Sequence, residues 1–300
     1  MIELVCPICA NVLSVEGDAA TCATCQQTFA RRDGIWRFLP PSRACEFADF
    51  LREYQTVRAD EGWGASDASY YRALPRVDQD DPQRNIWRIR TRSFERLLTL
   101  IGNGGPLKIL DVGAGNGWLA NQLVQRGHTV AALDLADDSR DGLGARVHYV
   151  TSFEMYQAEF DRMPFGAAQF DGVIFNAALH YACALTATLR EARRVMHSDG
   201  SIVVMDSPFY SKLSSGAAMV AEREVSFVRK YGFNRRVRTI GFLTRADLEQ
   251  SAAEAGLKIN TCAEDNRWAT RLRRTWIEWR TGREPARFPV VMLKHGRLYV

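Results

Sequence analysis

The sequence predicts an α/β protein, in which a parallel sheet with helices on both faces follows a small metal-binding module. From residue 84 onward, short apolar runs rich in β-branched residues alternate with amphipathic runs of helical period, as such a sheet requires. A glycine-rich turn, Gly113-Ala-Gly115-Asn-Gly117, joins the first of these strands to the helix that follows. Ahead of them, two C-x2-C pairs lie within the first 25 residues.

The composition is that of a folded, water-soluble protein. Of 300 residues, 46% are hydrophobic and 25% are charged, a balance that argues against disordered and low-complexity chains. No apolar run approaches the length of about eighteen residues that a membrane-spanning helix needs. The first residues lack a basic segment followed by a long apolar run, so we expect no secretory signal and a cytoplasmic location. The formal net charge of +4 indicates nothing about nucleic acid.

The paired cysteines are spaced as the ligands of one tetrahedral zinc ion. Each C-x2-C turn brings two thiolates onto the ion, and four thiolates leave no open coordination position, so the site would be structural. Two disulfides or four separate buried thiols are the alternatives, and the absence of a secretory signal disfavours the disulfides. The predicted ligands are Cys6, Cys9, Cys22 and Cys25, whereas Cys45, Cys183 and Cys262 are expected to be small buried hydrophobic residues.

The residues after the second pair continue the pattern of a known zinc module. Phe29 follows the pair, and Arg32-Asp-Gly-Ile-Trp36 then reads as a short strand. Residues 1–40 resemble the Trm112-like zinc-ribbon family, whose strand is R-D-G-I-P, with Trp36 here in place of the proline. In that family the ribbon is a partner or a fused domain of methyltransferases.

The middle of the chain contains a strand, a glycine-rich turn, a helix and a second strand. The apolar run 107–112 leads into the turn, residues 118–127 have helical spacing, and the run 128–135 places Asp134 near its end. Glycines allow a backbone to approach a ligand closely. An acid about twenty residues after the start of such a turn accepts hydrogen bonds from ribose hydroxyls.

The form of the turn distinguishes between two kinds of ligand. The turn is G-x-G-x-G preceded by Asp111, which resembles class I S-adenosylmethionine-dependent methyltransferases rather than dinucleotide dehydrogenases. A dinucleotide places a pyrophosphate on the helix N-terminus, whereas S-adenosylmethionine has no phosphate. The resemblance covers residues 85–300 and is nearest to the methyltransferase type 11, or ubiquinone/menaquinone biosynthesis-like, branch. It implies a Rossmann-like seven-stranded class I methyltransferase sheet.

Later segments repeat the order of that family. Strands are expected at 156–160, 169–176, 201–206, 257–262 and 287–293, with a helix from Leu189 that ends at Gly200 and another from Thr244 to Gly256. Thr244 is expected to be the N-cap of its helix, with Asp247 completing a capping box and Gly256 following the last turn.

The resemblance also implies roles for individual residues. Asp111 and the Gly113–Gly117 loop would hold the methionyl end of S-adenosylmethionine, Asp134 the ribose and Asp161 the adenine, leaving S-adenosylhomocysteine as the product. The full set of predicted donor-binding residues is Asp111, Gly113, Ala114, Gly115, Asn116, Gly117, Asp134, Leu135, Asp161, Arg162, Met163 and Asn176. His180 and Tyr181 are candidate catalytic residues, since a histidine there is suited to act as a general base. The alternative for His180 is a packing role.

The remaining segments are expected to form a connector, an insertion and a basic C-terminal stretch. Residues 41–84 are too aromatic for a flexible linker and form either a lid over the cofactor or packing between domains. An amphipathic helix is expected at 84–101, and an insertion at 207–241. The stretch 267–283, with three tryptophans, would bind RNA, lie on a membrane or pack against the domain.

Three functions are compatible with this organisation. The catalytic domain favours methyl transfer to an oxygen, nitrogen or carbon of a small molecule. The alternatives are an rRNA or tRNA methyltransferase that grips RNA with the ribbon and the basic stretch, or a ribbon that docks a protein partner. The sequence does not predict the oligomeric state.

Overall fold

A computed structural model describes residues 2–102, 104–232, 239–263 and 268–296. The strands of this part are β1 (Ser14–Glu16), β2 (Ala19–Thr21), β3 (Thr28–Arg32), β4 (Ile35–Arg37), β5 (Lys108–Val112), β6 (Thr129–Asp134), β7 (Glu154–Gln157), β8 (Phe170–Asn176), β9 (Met196–Met205), β10 (Leu257–Ala263) and β11 (Val290–His295). The helices are α1 (Pro41–Asp60), α2 (Ala68–Ala73), α3 (Arg84–Ile101), α4 (Trp118–Val124), α5 (Leu185–Val195), α6 (Leu213–Tyr231), α7 (Arg245–Glu254) and α8 (Trp268–Thr281).

The strands form one sheet in the order β1-β2-β3-β4-β7-β6-β5-β8-β9-β11-β10. From β7 to β9 neighbouring strands are parallel, and β11 is inserted antiparallel between β9 and β10. The predicted α/β class and seven-stranded sheet are therefore confirmed by β5 to β11. The order reverses at β5, which has β6 on one side and β8 on the other, and such a switch point opens a crevice at the carboxyl ends of the strands.

The N-terminal module extends this sheet and does not stand apart from it. β4 pairs in parallel with β7, with Trp36 opposite Tyr156, and so covers what would otherwise be an exposed edge. Val5 N also donates to Pro164 O over 3.1 Å, and Leu4 forms an isolated bridge with Phe165. The start of the chain therefore contacts the turn that carries Asp161.

Two helices begin and end where their sequences predict. α3 spans Arg84–Ile101, and Thr244 Oγ1 caps α7 by accepting a hydrogen bond from Asp247 N over 3.1 Å. Gly256 follows α7 with a φ of +71°, the left-handed conformation expected there.

The helix predicted to end at Gly200 is shorter than expected. α5 ends at Val195 because Met196 adopts an extended backbone and pairs with Phe170, which starts β9 early. Gly200 therefore lies within β9, where a Cβ would come 2.9 Å from Asp171 O, so close packing and not helix termination requires glycine there. The third strand also begins and ends earlier than predicted, at 154–157.

The burial of several side chains differs from expectation. Cys45 and Cys183 are exposed and Cys262 is partly exposed, so the prediction that all three are buried is wrong. On α8, Trp276 is 53% exposed and Trp279 is 82% exposed, so simple burial does not account for these indoles. Arg267 and residues 233–238 of the predicted insertion lie outside the described residues. No described helix is both long and apolar enough to cross a membrane.

Candidate functional site

A cleft lies at the carboxyl ends of β5, β6 and β8, and α1 forms its opposite wall. The predicted residues that line it are Gly113, Ala114, Gly115, Asn116, Asp134, Leu135, Asp161, Asn176 and Tyr181. The structure therefore brings most of the predicted donor-binding residues to one surface.

The glycine turn at the base of the cleft cannot carry larger residues at its first position. Gly113 has a φ of +73°, and a Cβ there would come within 2.3 Å of Ala178 Cβ. Gly113 N and Ala114 N both donate to Leu133 O, over 2.7 and 3.1 Å, which ties the turn to the end of β6. Gly117 does not line the cleft; it precedes α4 with a φ of +77° and packs against Phe153.

Asp134 is held in place by the backbone around it. Its Oδ2 accepts a hydrogen bond from Gly115 N over 2.7 Å, and its Oδ1 accepts one from Ala136 N over 2.8 Å. Burial raises the pKa of Asp134 to about 6, against the opposing effect of these two hydrogen bonds. The carboxylate lines the cleft and retains lone pairs that can accept hydrogen bonds from hydroxyl groups.

Asp111 lies beneath the turn and does not line the cleft. It is fully buried, and neither of its carboxylate oxygens has a hydrogen-bond partner of good geometry in the described structure, although the Ala120 N–H opposes the rise in its pKa. Burial, followed by the charge of Asp134, raises the pKa of Asp111 to about 8. A ligand that brings positive charge to this part of the cleft would favour the ionised forms of both acids.

Of the three residues predicted to lie near the adenine of the donor, Asp161, Arg162 and Met163, only Asp161 lines the cleft. Burial and the neighbouring Glu159 raise the pKa of Asp161, whose side chain lines the cleft. Arg162 is exposed, and Met163 is buried with its backbone N–H donating to Glu191 over 2.8 Å, so neither side chain lines the cleft.

His180 lies away from the cleft. It is 7% exposed, its Nδ1 is 3.2 Å from Ser207 Oγ, and burial lowers its pKa to about 3. The ring is therefore neutral at ordinary pH, and its position fits the packing alternative better than a general base. Tyr181 does line the cleft, with its ring 5.8 Å from Tyr54 in an edge contact.

One face of α1 supplies cleft residues that the sequence reasoning did not assign individually. These are Arg43, Phe47, Phe50, Leu51, Tyr54 and Arg58. These residues have the spacing of one helix face. The helical spacing of the aromatic residues in the connector could therefore have identified this wall of the cleft. Arg43 Nε donates to Glu159 over 2.8 Å and Arg58 pairs with Asp141, so the face is joined to the opposite wall at both ends.

The four predicted zinc ligands converge in the ribbon. Their sulfur atoms all lie within 4.8 Å of one another. The Sγ atoms of Cys6 and Cys25 are 3.5 Å apart, and Cys9 Sγ is 3.4 Å from Cys22 and 3.8 Å from Cys25. A tetrahedron with zinc–sulfur bonds of about 2.3 Å has edges of about 3.8 Å, so the cluster fits one zinc ion.

The two turns that present these sulfurs have the same backbone design. After each C-x2-C pair, one residue adopts a positive φ, +59° at Ala10 and +58° at Gln26. In each turn that residue's N–H donates to the carbonyl of the first cysteine, over 2.8 Å at Cys6 and 3.0 Å at Cys22. The matched turns place four thiols around one point, which supports a metal site over unlinked thiols.

Comparisons with known proteins agree with this geometry. Residues 110–204 match the family described as a methyltransferase domain. The chain is 32% identical over 123 residues to a malonyl-[acyl-carrier protein] O-methyltransferase of Erwinia pyrifoliae, covering 41% of this chain and 44% of the relative. It is 28% identical over 181 residues to the Geobacter sulfurreducens protein of the same name, covering 57% of this chain and 63% of that relative. The matches thus cover less than two thirds of either relative.

Solved structures share the fold at low sequence identity. Magnesium protoporphyrin IX methyltransferase from Synechocystis PCC 6803, with bound S-adenosylhomocysteine, superposes with a TM-score of 0.53 at 14% identity. The alignment covers 83% of this chain and 99% of that one. At this identity the likeness concerns the fold alone.

Proposed function

Since this chain carries a methyltransferase domain set in the class I fold, we propose that it transfers a methyl group from S-adenosylmethionine to a small-molecule acceptor. The arrangement of Asp134 carries the proposal. This acid ends β6, is bonded to the turn through Gly115 N, and presents its remaining lone pairs to the cleft. A neighbouring strand end supplies Asp161 for the other side of the nucleoside.

The chain's own residues would bind and orient the donor. Asp134 would accept hydrogen bonds from ribose hydroxyls, Asp161 would face the adenine, and the glycine turn would lie against the methionyl chain. The positive charge of the donor's sulfonium would favour the ionised forms of Asp111 and Asp134, and these carboxylates would in turn offset that charge. When bound, the donor supplies a methyl group already activated on a sulfonium.

The acceptor would lie between α1 and the segment after β8. Phe47, Phe50 and Tyr54 give this part of the cleft an apolar wall, and Tyr181 closes it from the other side. Such a wall excludes water and positions the acceptor, which is the main requirement when the transferred group is already activated. A base is not required of His180 in this account.

Domain roles follow from the same arrangement. We assign residues 1–40 to a zinc ribbon with a structural ion, 41–84 to a connector that covers the cleft, and 85–300 to the methyltransferase domain with an insertion at 207–241. The hydrogen bond from Val5 N to Pro164 O supports a ribbon that steadies the turn carrying Asp161. Zinc would therefore act on fold stability and not on the chemistry.

The relatives suggest one acceptor to include in a test. They are named for O-methylation of malonyl-[acyl-carrier protein], so an oxygen of a malonyl group is a candidate alongside free metabolites.

Purified protein would be incubated with methyl-labelled donor and an extract from cells that lack its gene, and the products separated into RNA, protein and small molecules. Label in the small-molecule fraction is expected, whereas label in RNA would contradict the proposed acceptor class. Label in protein that is released by thioester cleavage would extend the proposal to carrier-bound acyl groups.

A further inference from the structure

Arg90 is held at the cleft by two tryptophans. It lies in the middle of α3, and its guanidinium carbon is 4.8 Å from the ring centroid of Trp63 and 4.7 Å from that of Trp87. Both distances lie within the range of a cation–π contact, so the rings hold the side chain in one place. The side chain is partly buried and lines the cleft.

In contrast to the other two cleft arginines, Arg90 has no acidic partner within the described residues. Arg43 pairs with Glu159 and Arg58 pairs with Asp141. Arg90 forms no ion pair there, and its Nε is buried without a hydrogen-bond partner. A buried N–H donor without an acceptor is costly, because the hydrogen bond that it would make to water is not replaced.

Asp206 is the acid whose charge acts most strongly on Arg90, but the two side chains form no ion pair among the described residues. Asp206, just after β9, accepts a hydrogen bond from Ser93 Oγ over 2.6 Å at its Oδ1, and its Oδ2 has no hydrogen-bond partner. Burial lowers the pKa of Arg90, against the opposing effect of the negative charges of Asp206 and Asp141, so these charges offset its burial only in part. What Arg90 lacks is a hydrogen-bond acceptor for its Nε–H, which a ligand in the cleft could supply.

We propose that Arg90 binds the carboxylate of a molecule that occupies the cleft. A guanidinium forms two parallel hydrogen bonds with a carboxylate, and the flanking indoles leave it oriented for such a contact. This inference rests on the proposed function, whose two reactants are the sources of the carboxylate. The donor carries one on its methionyl group, and an acceptor with a carboxylate is the other source.

The position of Arg90 is compatible with both sources. Trp87, which contacts Arg90, also contacts Trp118 at the start of α4, directly after the glycine turn. Ser93, one helical turn beyond Arg90, contacts Asp206 just after β9. The neighbours of Arg90 on α3 thus contact both α4, which follows the glycine turn, and the residue after β9.

Calorimetric titration of three variants of the full chain distinguishes these sources. Arg90→Met removes the charge, Arg90→Lys keeps it without the two-pronged geometry, and Arg88→Met, an exposed position on the same helix, is the matched control. The donor arm compares S-adenosylhomocysteine with 5′-methylthioadenosine, which has the adenosine and thioether but no carboxylate. The acceptor arm compares hexanoate with hexanamide on protein saturated with S-adenosylhomocysteine. Thermal melting confirms that each variant is folded.

Either of two results supports the proposal. Arg90→Met can lower the affinity for S-adenosylhomocysteine by at least about tenfold and leave the affinity for 5′-methylthioadenosine unchanged. This result identifies the donor as the source of the carboxylate. Alternatively, both nucleosides bind as before but the preference for hexanoate over hexanamide is lost, which identifies the acceptor. In each case Arg90→Lys should be intermediate and Arg88→Met should match the unmodified protein.

Two results would overturn it. One is that Arg90→Met behaves as Arg88→Met toward all four probes. The other is that it weakens both nucleosides equally while lowering the melting temperature, which would indicate a structural role. If the unmodified protein binds neither nucleoside, the proposed function fails, and the hexanoate comparison on ligand-free protein still tests Arg90.

Discussion

Gly115 and Asp134 are joined by a hydrogen bond of 2.7 Å from the glycine N–H to the carboxylate Oδ2. The bond links the turn after β5 to the end of β6, so the two halves of the candidate donor site are positioned by one contact. A second bond from Ala136 N holds the other oxygen, which leaves the carboxylate little freedom to rotate. The acid is therefore positioned before any ligand arrives, which reduces the ordering cost of binding.

Replacing Asp134 should weaken donor binding. Asp134→Ala removes two charge-assisted acceptors, and we expect the affinity for S-adenosylhomocysteine to fall by about a hundredfold. Asp134→Asn retains one acceptor and the shape, so its loss should be smaller. Calorimetry measures both, and an affinity unchanged in the alanine variant would remove the ribose assignment.

Donor binding should also depend on the protonation of Asp134. Its pKa is raised to about 6 in the ligand-free protein, so the carboxylate becomes protonated as the pH falls through that value. The protonated acid is a weaker acceptor and carries no charge, and we expect the affinity for S-adenosylhomocysteine to fall between about pH 7 and pH 5. Asp134→Asn should remove most of this dependence, and an identical pH profile in both proteins would refute the role of this group.

Asp111 should make the ligand-free protein less stable as the pH rises. Its pKa is raised to about 8 by burial, so the folded state disfavours the ionised form. The corresponding stabilisation is fully present below the ordinary pKa of an aspartate, at about pH 4, and is lost as the pH rises through about 8. Urea unfolding at several pH values should show a slope of up to about 1.4 kcal/mol per pH unit from this group.

The matched variant for that experiment is Asp111→Asn, which cannot ionise. Its unfolding free energy should vary less between about pH 5 and pH 8 than that of the unmodified protein. The comparison concerns the slope, because the buried amide also changes the absolute stability. Parallel curves for the two proteins would show that Asp111 does not titrate in this range.

The close approach of the turn to Ala178 can be tested with two glycines. Gly113→Ala combines a positive φ of +73° with a contact of 2.3 Å to Ala178 Cβ, whereas Gly127→Ala has a positive φ of +89° and open space. We expect Gly127→Ala to lower the free energy of unfolding by about 1 kcal/mol, and Gly113→Ala to lower it by about 1–3 kcal/mol more. Urea denaturation measures the difference, and the double variant Gly113→Ala with Ala178→Gly should recover part of it. Equal losses at the two positions would mean that the turn tolerates a side chain.

The cysteine cluster should bind one zinc ion that stabilises the fold. Cys22→Ser removes one buried ligand, and we expect loss of zinc and a lower melting temperature. Cys45→Ser, at an exposed cysteine outside the cluster, should change neither quantity. Elemental analysis together with thermal melting checks both, and a full complement of zinc in Cys22→Ser would contradict the assignment.

Local sequence predicted the parts of the site that depend on neighbouring residues. The turn at Gly113, the acid at Asp134 and the cap at Thr244 are all set by backbone geometry within a few positions. The pair Arg43–Glu159 spans 116 residues and Arg58–Asp141 spans 83, and no local pattern could indicate which partners meet.

The position of the ribbon and of His180 depended on the same kind of long-range contact. β4 joins the sheet because β7 leaves an unpaired edge, which only the assembled sheet presents. His180 is buried against Ser207 because two loops after different strands pack together. Its position just after a strand end was correct, but which way the ring would face could not be read from that position.

Calorimetric titration of the zinc-loaded protein with S-adenosylhomocysteine tests the central claim most directly, with NADH as the comparison ligand. We expect one S-adenosylhomocysteine to bind per chain and NADH to give no measurable heat. Saturable binding of NADH, with no binding of S-adenosylhomocysteine to folded protein, would contradict it.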